Sequence, residues 1–114
     1  MPSQGEIVLI PVPFTDLSSQ KRRPVIIISN TTYNQFSKDM VVVAMTSNLS
    51  EKAYALPLLS EDLAIGALNR TSMIRTDKIY TLEQSLIVKS FGMVLPQVID
   101  RIFDEIKSIL ETSK

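Results

Sequence analysis

The chain has 114 residues, the length of one ordinary domain, and can bury a hydrophobic core without disulfide or metal staples. Hydrophobic residues make up 45% of it and charged residues 21%, which excludes the disordered and fibrous classes. It contains no Cys and no His, which excludes disulfides, thiolate nucleophiles, zinc sites and imidazole acid–base chemistry, and we expect no cofactor.

The charges balance overall and cluster only locally. Lys plus Arg and Asp plus Glu each total 12, so no global field attracts nucleic acid, and any such binding depends on local cations. The basic cluster is Lys21, Arg22 and Arg23. The first residues lack the features of a signal peptide and no apolar run has the length of a membrane span, so we expect a cytoplasmic protein without a membrane partner.

The first half of the chain carries strand signals separated by polar segments. Residues 6–12 are rich in Ile, Val and Leu and predict a strand. Residues 15–22 are polar and predict an exposed loop, which carries the basic cluster. Two β-branched runs, residues 25–28 and 40–45, predict strands buried on both faces, and the polar residues 29–39 between them predict a connecting loop.

The second half predicts weaker strands and one helix. Strand signals occur at residues 54–58, 72–74 and 78–82. In residues 98–110 apolar side chains recur at helical spacing, and Pro96 suits the first turn, so an amphipathic helix should begin close to it. Short strands followed by a closing helix indicate a small antiparallel barrel or sheet with the helix packed on it.

Two residues are the strongest candidates for chemistry. Arg23 precedes Pro24, whose ring favours an extended backbone at position 23, and a guanidinium at the mouth of a strand suits a phosphate. Thr46 follows a buried strand, where its hydroxyl can face a cleft. The structural alternatives are a solvated loop charge for Arg23 and a hydroxyl that bonds its own turn for Thr46.

Four stretches give the sequence a resemblance to a known family. They are GEIVLIPVPFTDL at residues 5–17, KRRP at 21–24 before an apolar strand, VVVAMTSN at 41–48 and, more loosely, SMIRTDKI at 72–79. In order and spacing these stretches resemble the MazF/PemK-type toxin endoribonucleases of bacterial toxin–antitoxin pairs. The family's Arg-Pro pair falls on Arg23 and Pro24, and its catalytic Thr falls on Thr46.

The resemblance implies a fold and an activity. The fold is a mainly β (α+β), SH3-like antiparallel β-barrel with a C-terminal amphipathic helix, in one domain that forms a homodimer. The activity is metal-independent cleavage of single-stranded RNA by attack of the ribose 2′-hydroxyl, with Arg23 and Thr46 as catalytic residues. The expected substrate-binding residues are Phe14, Thr15, Ser19, Gln20, Lys21, Arg22, Ser47, Asn48, Ser72 and Lys78.

The resemblance also implies a partner and leaves two alternatives open. A cognate antitoxin would cover the groove near Arg23 with an acidic segment. One alternative is a non-catalytic barrel toxin that inhibits a protein target such as DNA gyrase. The other is a degenerate member that only binds RNA or antitoxin, since Ser18, Ser19 and Gln20 stand where many members carry a loop Glu.

Overall fold

The computed structural model describes residues 2–11, 22–50 and 53–113. Within these residues the chain forms strands, two α-helices and two single 3₁₀ turns, at Ser60–Asp62 and Gln84–Leu86. In chain order the main elements are β1 (Glu6–Pro11), β2 (Arg22–Ile27), α1 (Thr31–Phe36), β3 (Asp39–Thr46), β4 (Ala55–Leu58), β5 (Leu63–Ile65), β6 (Ser72–Glu83), β7 (Lys89–Val94) and α2 (Pro96–Leu110).

The strands form one curled antiparallel sheet. Their spatial order is β4-β6-β3-β2-β1-β7-β5, and each neighbouring pair is antiparallel. The sheet is a half-barrel, and α2 closes one side of it. The expectation of a mainly β, SH3-like barrel with a C-terminal helix is confirmed. No helix among the described residues is both long enough and apolar enough to span a bilayer.

Side chains alternate between the two faces of each strand, so the core consists of two apolar layers, one on each face of the sheet. The face of the sheet that we call the helix face contributes Ile7, Ile26 and Val43, which pack with Val98 and Ile102 of α2. The opposite face, which we call the site face, carries a second buried cluster made of Val8, Ile10, Val25, Ile27, Met40 and Val42. The central strands are thus buried on both sides, as their β-branched runs predicted.

The described segment 29–39 is not the plain loop that its polar residues predicted, because it contains α1. Asn30 caps this helix, since its side chain accepts a hydrogen bond from the Tyr33 N–H at 2.8 Å. Asn34 is buried and its side-chain amide donates to the carbonyls of Pro2 and Ser29. A short helix held by polar tertiary bonds has no apolar periodicity, so the pattern missed it.

Three further differences concern the strands. Arg22, predicted to lie in the loop, is the first residue of β2. The two strands predicted at 72–74 and 78–82 are one strand, β6, which contains a bulge. Neither β5 nor β7 was predicted, and β7 contains Gly92, where a Cβ would lie 2.9 Å from the Ile65 carbonyl oxygen. The close approach of β5 to β7 therefore requires a residue with low strand propensity.

The buried amide of Asn34 makes a stability prediction. Asn34 is 2% exposed, and its Oδ1 accepts a hydrogen bond from the Ser29 hydroxyl. Asn34→Ala should lower the free energy of unfolding by roughly 1–3 kcal/mol, because it leaves buried polar groups without partners. Urea unfolding measures this, with Gln35→Ala, at an exposed position of the same helix, as the control. Equal stabilities of the two variants would contradict the assignment.

Candidate active site

The strand register brings the two predicted catalytic residues to neighbouring positions. The β2–β3 pairing ends with Val25 opposite Ala44, and this register, continued two residues back along β2 and two residues forward along β3, brings Arg23 to the position opposite Thr46. Residues two apart on a strand share a face, so Arg23 and Thr46 extend the row of Val25 and Ala44. Both side chains therefore belong to the site face, at the end of the sheet where its apolar cluster stops.

The hydroxyl of Thr46 has a local role that remains compatible with binding a ligand. Its Oγ1 accepts a hydrogen bond from the Asn48 N–H at 3.1 Å, the turn contact that the sequence suggested as the structural alternative. This contact occupies an acceptor site and orients the oxygen, and the O–H proton remains available as a donor. Asn48 in turn accepts from the N–H and hydroxyl of Ser50 at 3.0 and 2.6 Å, which orders the turn after β3.

A second arginine lies on the same face, and the sequence reading had not singled it out as a site residue. Arg75 of β6 pairs with Ala44 of β3 and with Ala55 of β4, so it stands beside the row that leads to Thr46. Its side chain is 19% exposed. Its Nε and Nη2 each donate to Asp77 at 3.1 Å, one to each carboxylate oxygen. A bidentate pair of this kind fixes the plane of the guanidinium.

The ion pair also sets the charge state of the carboxylate. The hydrogen bond from Arg75 holds the pKa of Asp77 below its ordinary value, with the nearby Lys78 ammonium adding to the effect. The carboxylate is therefore ionised at neutral pH, and the group acts as a fixed negative partner for Arg75. The sequence signal that could have found this pair is the spacing Arg-x-Asp within a strand, which puts both side chains on one face.

The other predicted substrate-binding residues fall into three groups. Five of them, Phe14, Thr15, Ser19, Gln20 and Lys21, lie outside the described residues. Ser47, Asn48 and Lys78 are exposed, the first two next to Thr46 and the third in the bulge of β6. The last two, Arg22 and Ser72, lie on the helix face, because side chains alternate along a strand. Arg22 is adjacent to Arg23 in β2, and Ser72 is adjacent in β6 to Met73, the partner of Thr46.

Metal ligands do not converge in the described part of the chain. Within residues 2–11, 22–50 and 53–113, no three Asp or Glu side chains come together in a way that could hold a metal ion. What the strand register does bring to neighbouring positions of the site face is Arg23, Thr46 and Arg75, whose guanidinium and hydroxyl groups are of the types that bind an anion such as a phosphate.

Comparison with known proteins supports the fold described above and identifies the family of the chain. The sequence profile of PemK-like, MazF-like toxins of type II toxin–antitoxin systems matches residues 3–110. The chain belongs to this family. Its architecture is therefore compared with solved structures of MazF-like proteins. No curated protein is similar enough in sequence to match.

Solved structures share the architecture at low sequence identity. An endoribonuclease in complex with its cognate antitoxin, from a mycobacterial species, has a TM-score of 0.74 at 18% identity, over 99% of this chain and 100% of that one. MazF in a MazE–MazF complex from Deinococcus radiodurans has a TM-score of 0.75 at 18% identity, over 98% and 97%. The Mycobacterium tuberculosis toxin MazF-mt6 has a TM-score of 0.73 at 18% identity, over 96% and 99%. The shared fold thus covers at least 96% of this chain and at least 97% of each of those chains.

Proposed function

We propose that this MazF-like toxin is an endoribonuclease that cuts single-stranded RNA at the site face, with Arg23 and Thr46 as its catalytic residues. The observation that carries the proposal is the register of β2 and β3, which sets the guanidinium and the hydroxyl at neighbouring positions of one face. Family membership and neighbours described as endoribonucleases support the activity. A toxin that only blocks a protein has no need of a phosphate clamp beside a hydroxyl donor.

The chemistry uses the substrate's own nucleophile. The ribose 2′-oxygen forms a bond to the adjacent phosphorus while the bond from phosphorus to the 5′-oxygen breaks, which leaves a 2′,3′-cyclic phosphate and a 5′-hydroxyl. The proton lost from the 2′-hydroxyl balances the one gained by the leaving oxygen. The enzyme then has to position the phosphodiester and stabilise its developing charge, which requires neither His nor a metal ion.

Each of the three side chains at these neighbouring positions has a part in this reaction. Arg23 clamps a phosphate oxygen with its planar fork of donors. Thr46 donates its O–H proton to the second non-bridging oxygen, since its acceptor side already bonds the Asn48 N–H. Asp77 holds the Arg75 guanidinium in place and balances its charge, so Arg75 contributes an oriented guanidinium to the same face and no net positive charge. Preorganised donors of this kind act where charge develops in the transition state.

We also propose a homodimer, a cytoplasmic location and an acidic antitoxin segment as partner. Two neighbours of the same fold are complexes of a toxin with an antitoxin. The site face presents the exposed Arg23, and a carboxylate-bearing peptide can pair with the same guanidinium group that binds an RNA phosphate. Binding of antitoxin at this face would therefore exclude RNA.

The activity is tested by incubating purified protein with single-stranded RNA in EDTA and analysing the product ends. We expect cleavage that survives chelation and yields 2′,3′-cyclic phosphates. A 2′-deoxy substitution at the cut nucleotide should abolish cleavage there, because it removes the nucleophile. Intact RNA after incubation with folded protein would favour the binding-only alternatives, and inhibition of DNA gyrase by the same preparation would favour the gyrase poison.

Substitutions of Thr46 can separate the effect of its hydroxyl group on cleavage from the effect of its side-chain volume. Thr46→Val should lower the cleavage rate on the order of 10²-fold, because one preorganised donor is lost without a change in volume. Thr46→Ser keeps the hydroxyl and should recover most of the rate. Thr81→Val, at an exposed position of β6, is the matched control. Single-turnover rates provide the comparison, and a Val variant as fast as the Ser variant would remove Thr46 from the mechanism.

A further inference from the structure

A small depression opens on the site face directly beside Arg23. Its volume is about 80 Å³, and Arg23 lines it together with Ile10, Val25, Ala44 and Tyr80. Ile10 and Val25 are buried members of the apolar cluster, so they give the depression a hydrophobic floor. The cavity therefore combines a cation at its edge, an aromatic ring in its wall and an apolar base.

The sequence accounts for both the ring and the open space. Tyr80 of β6 pairs with Val42 of β3 and packs on the apolar cluster, so its ring is held at a fixed place. Arg75 pairs with Ala44, and the bulge at residues 76–78 shifts the register of β6 against β3 between this pair and the pair of Tyr80 with Val42. Ala44, the partner of Arg75 in β3, also lines the depression, and its methyl group leaves unfilled the volume that a larger side chain would occupy.

A nucleobase is the ligand whose chemistry matches these walls. Bases are planar and stack on aromatic rings, and their faces favour apolar surroundings. A phosphodiester bound by Arg23 carries a ribose and base within one nucleotide of the depression. We propose that Tyr80 and Ala44 form the subsite for a base adjacent to the scissile phosphate, with the Tyr80 ring stacking on that base and Ala44 setting the depth to which it enters. The proposal rests on the proposed function for its substrate class, single-stranded RNA.

The subsite has a test that does not require cleavage. The probe is a set of single-stranded 2′-O-methyl oligoribonucleotides of mixed sequence, each with one 2-aminopurine, whose fluorescence is quenched when it stacks. The 2′-O-methyl group removes the nucleophile, so binding is observed alone. We expect quenching by the wild-type protein, at least tenfold weaker binding for Tyr80→Leu, and recovery of quenching with Tyr80→Phe, which keeps the ring.

Ala44→Leu tests the cavity independently of the ring. It should fill the depression, reduce quenching to the level of Tyr80→Leu and alter which nucleotide flanks the cuts in a mixed-sequence RNA. Tyr33→Leu, which removes an exposed tyrosine of α1, is the control for loss of an aromatic elsewhere. Thermal unfolding verifies that each variant is folded, and if Ala44→Leu fails to fold, Ala44→Val provides the same test with less added volume.

The outcomes separate the subsite from the activity. Quenching that depends on Tyr80 in a protein that cuts no RNA would support the subsite and contradict the proposed function. The subsite would be overturned, and the activity left standing, if the wild type cuts RNA while Tyr80→Leu and Ala44→Leu both behave like Tyr33→Leu. The comparison covers quenching and the preference for the nucleotide that flanks the cut.

Discussion

Arg23→Ala should lower the rate of RNA cleavage by about 10²–10³-fold, because it removes the donor fork that holds the phosphodiester. Arg23→Lys keeps the charge but not the bidentate geometry, so it should remain well below wild type. Single-turnover rates at one mapped bond measure both effects. Because Arg23 is exposed, neither substitution should shift the midpoint of thermal unfolding.

Two other arginines provide the comparison for Arg23. Arg101 is exposed on α2, which packs on the helix face of the sheet, so Arg101→Ala controls for the loss of one positive charge. Arg22→Ala tests the division of the two faces, and we expect a loss below about tenfold, since Arg22 alternates onto the helix face. Equal losses for Arg22→Ala and Arg23→Ala would mean that general basic charge, and not the position of Arg23, supports cleavage.

Loss of the Arg75 side chain should reduce cleavage by the same order as loss of the Thr46 hydroxyl. Arg75→Ala should lower the cleavage rate on the order of 10²-fold, because it removes the oriented guanidinium and leaves the Asp77 carboxylate unpaired on the face that binds the phosphate. Asp77→Asn keeps one acceptor oxygen for the guanidinium, so its loss should be smaller. A rate for Arg75→Ala within twofold of wild type would exclude this arginine from the reaction.

The pKa of Asp77 provides an independent measurement of this ion pair. Since the hydrogen bond from Arg75 lowers the pKa of the Asp77 carboxyl, the pair stabilises the fold above the pKa of the unfolded chain. That contribution is lost as the pH falls through the lowered pKa. NMR titration of the side-chain carboxyl should show its pKa rising towards the ordinary value in Arg75→Ala, and an unchanged pKa would contradict the contact.

The sequence predicted the parts of the fold that depend on apolar pattern. The β-branched runs of β2 and β3 and the amphipathic stripe of α2 were predicted because burial selects these patterns directly. The helix α1 was missed because a polar cap and the buried Asn34 stabilise it. The strand β7 was missed because Gly92 is required by the approach of β5, and a glycine lowers the strand signal.

The site residues also differ in whether a local feature of the sequence marks them. Arg23 and Thr46 were predicted because local features mark them: the constraint of Pro24 on one and the end of a buried strand at the other. Arg75 was not predicted as a site residue, because its place beside Ala44 depends on the register of β3 and β6 and on a bulge. Register over such distances in the chain is set by tertiary packing, and a single sequence does not reveal it.

The central claim is that Arg23 and Thr46 act on one phosphodiester, and a double-mutant cycle tests it most directly. Single-turnover rates would be measured at one mapped bond for wild type, Arg23→Ala, Thr46→Ala and the double variant. Groups that act together on one transition state show strongly non-additive losses. We predict a double variant only slightly slower than the slower single variant. Losses that multiply fully, or a wild-type protein that leaves the RNA intact, would contradict the account.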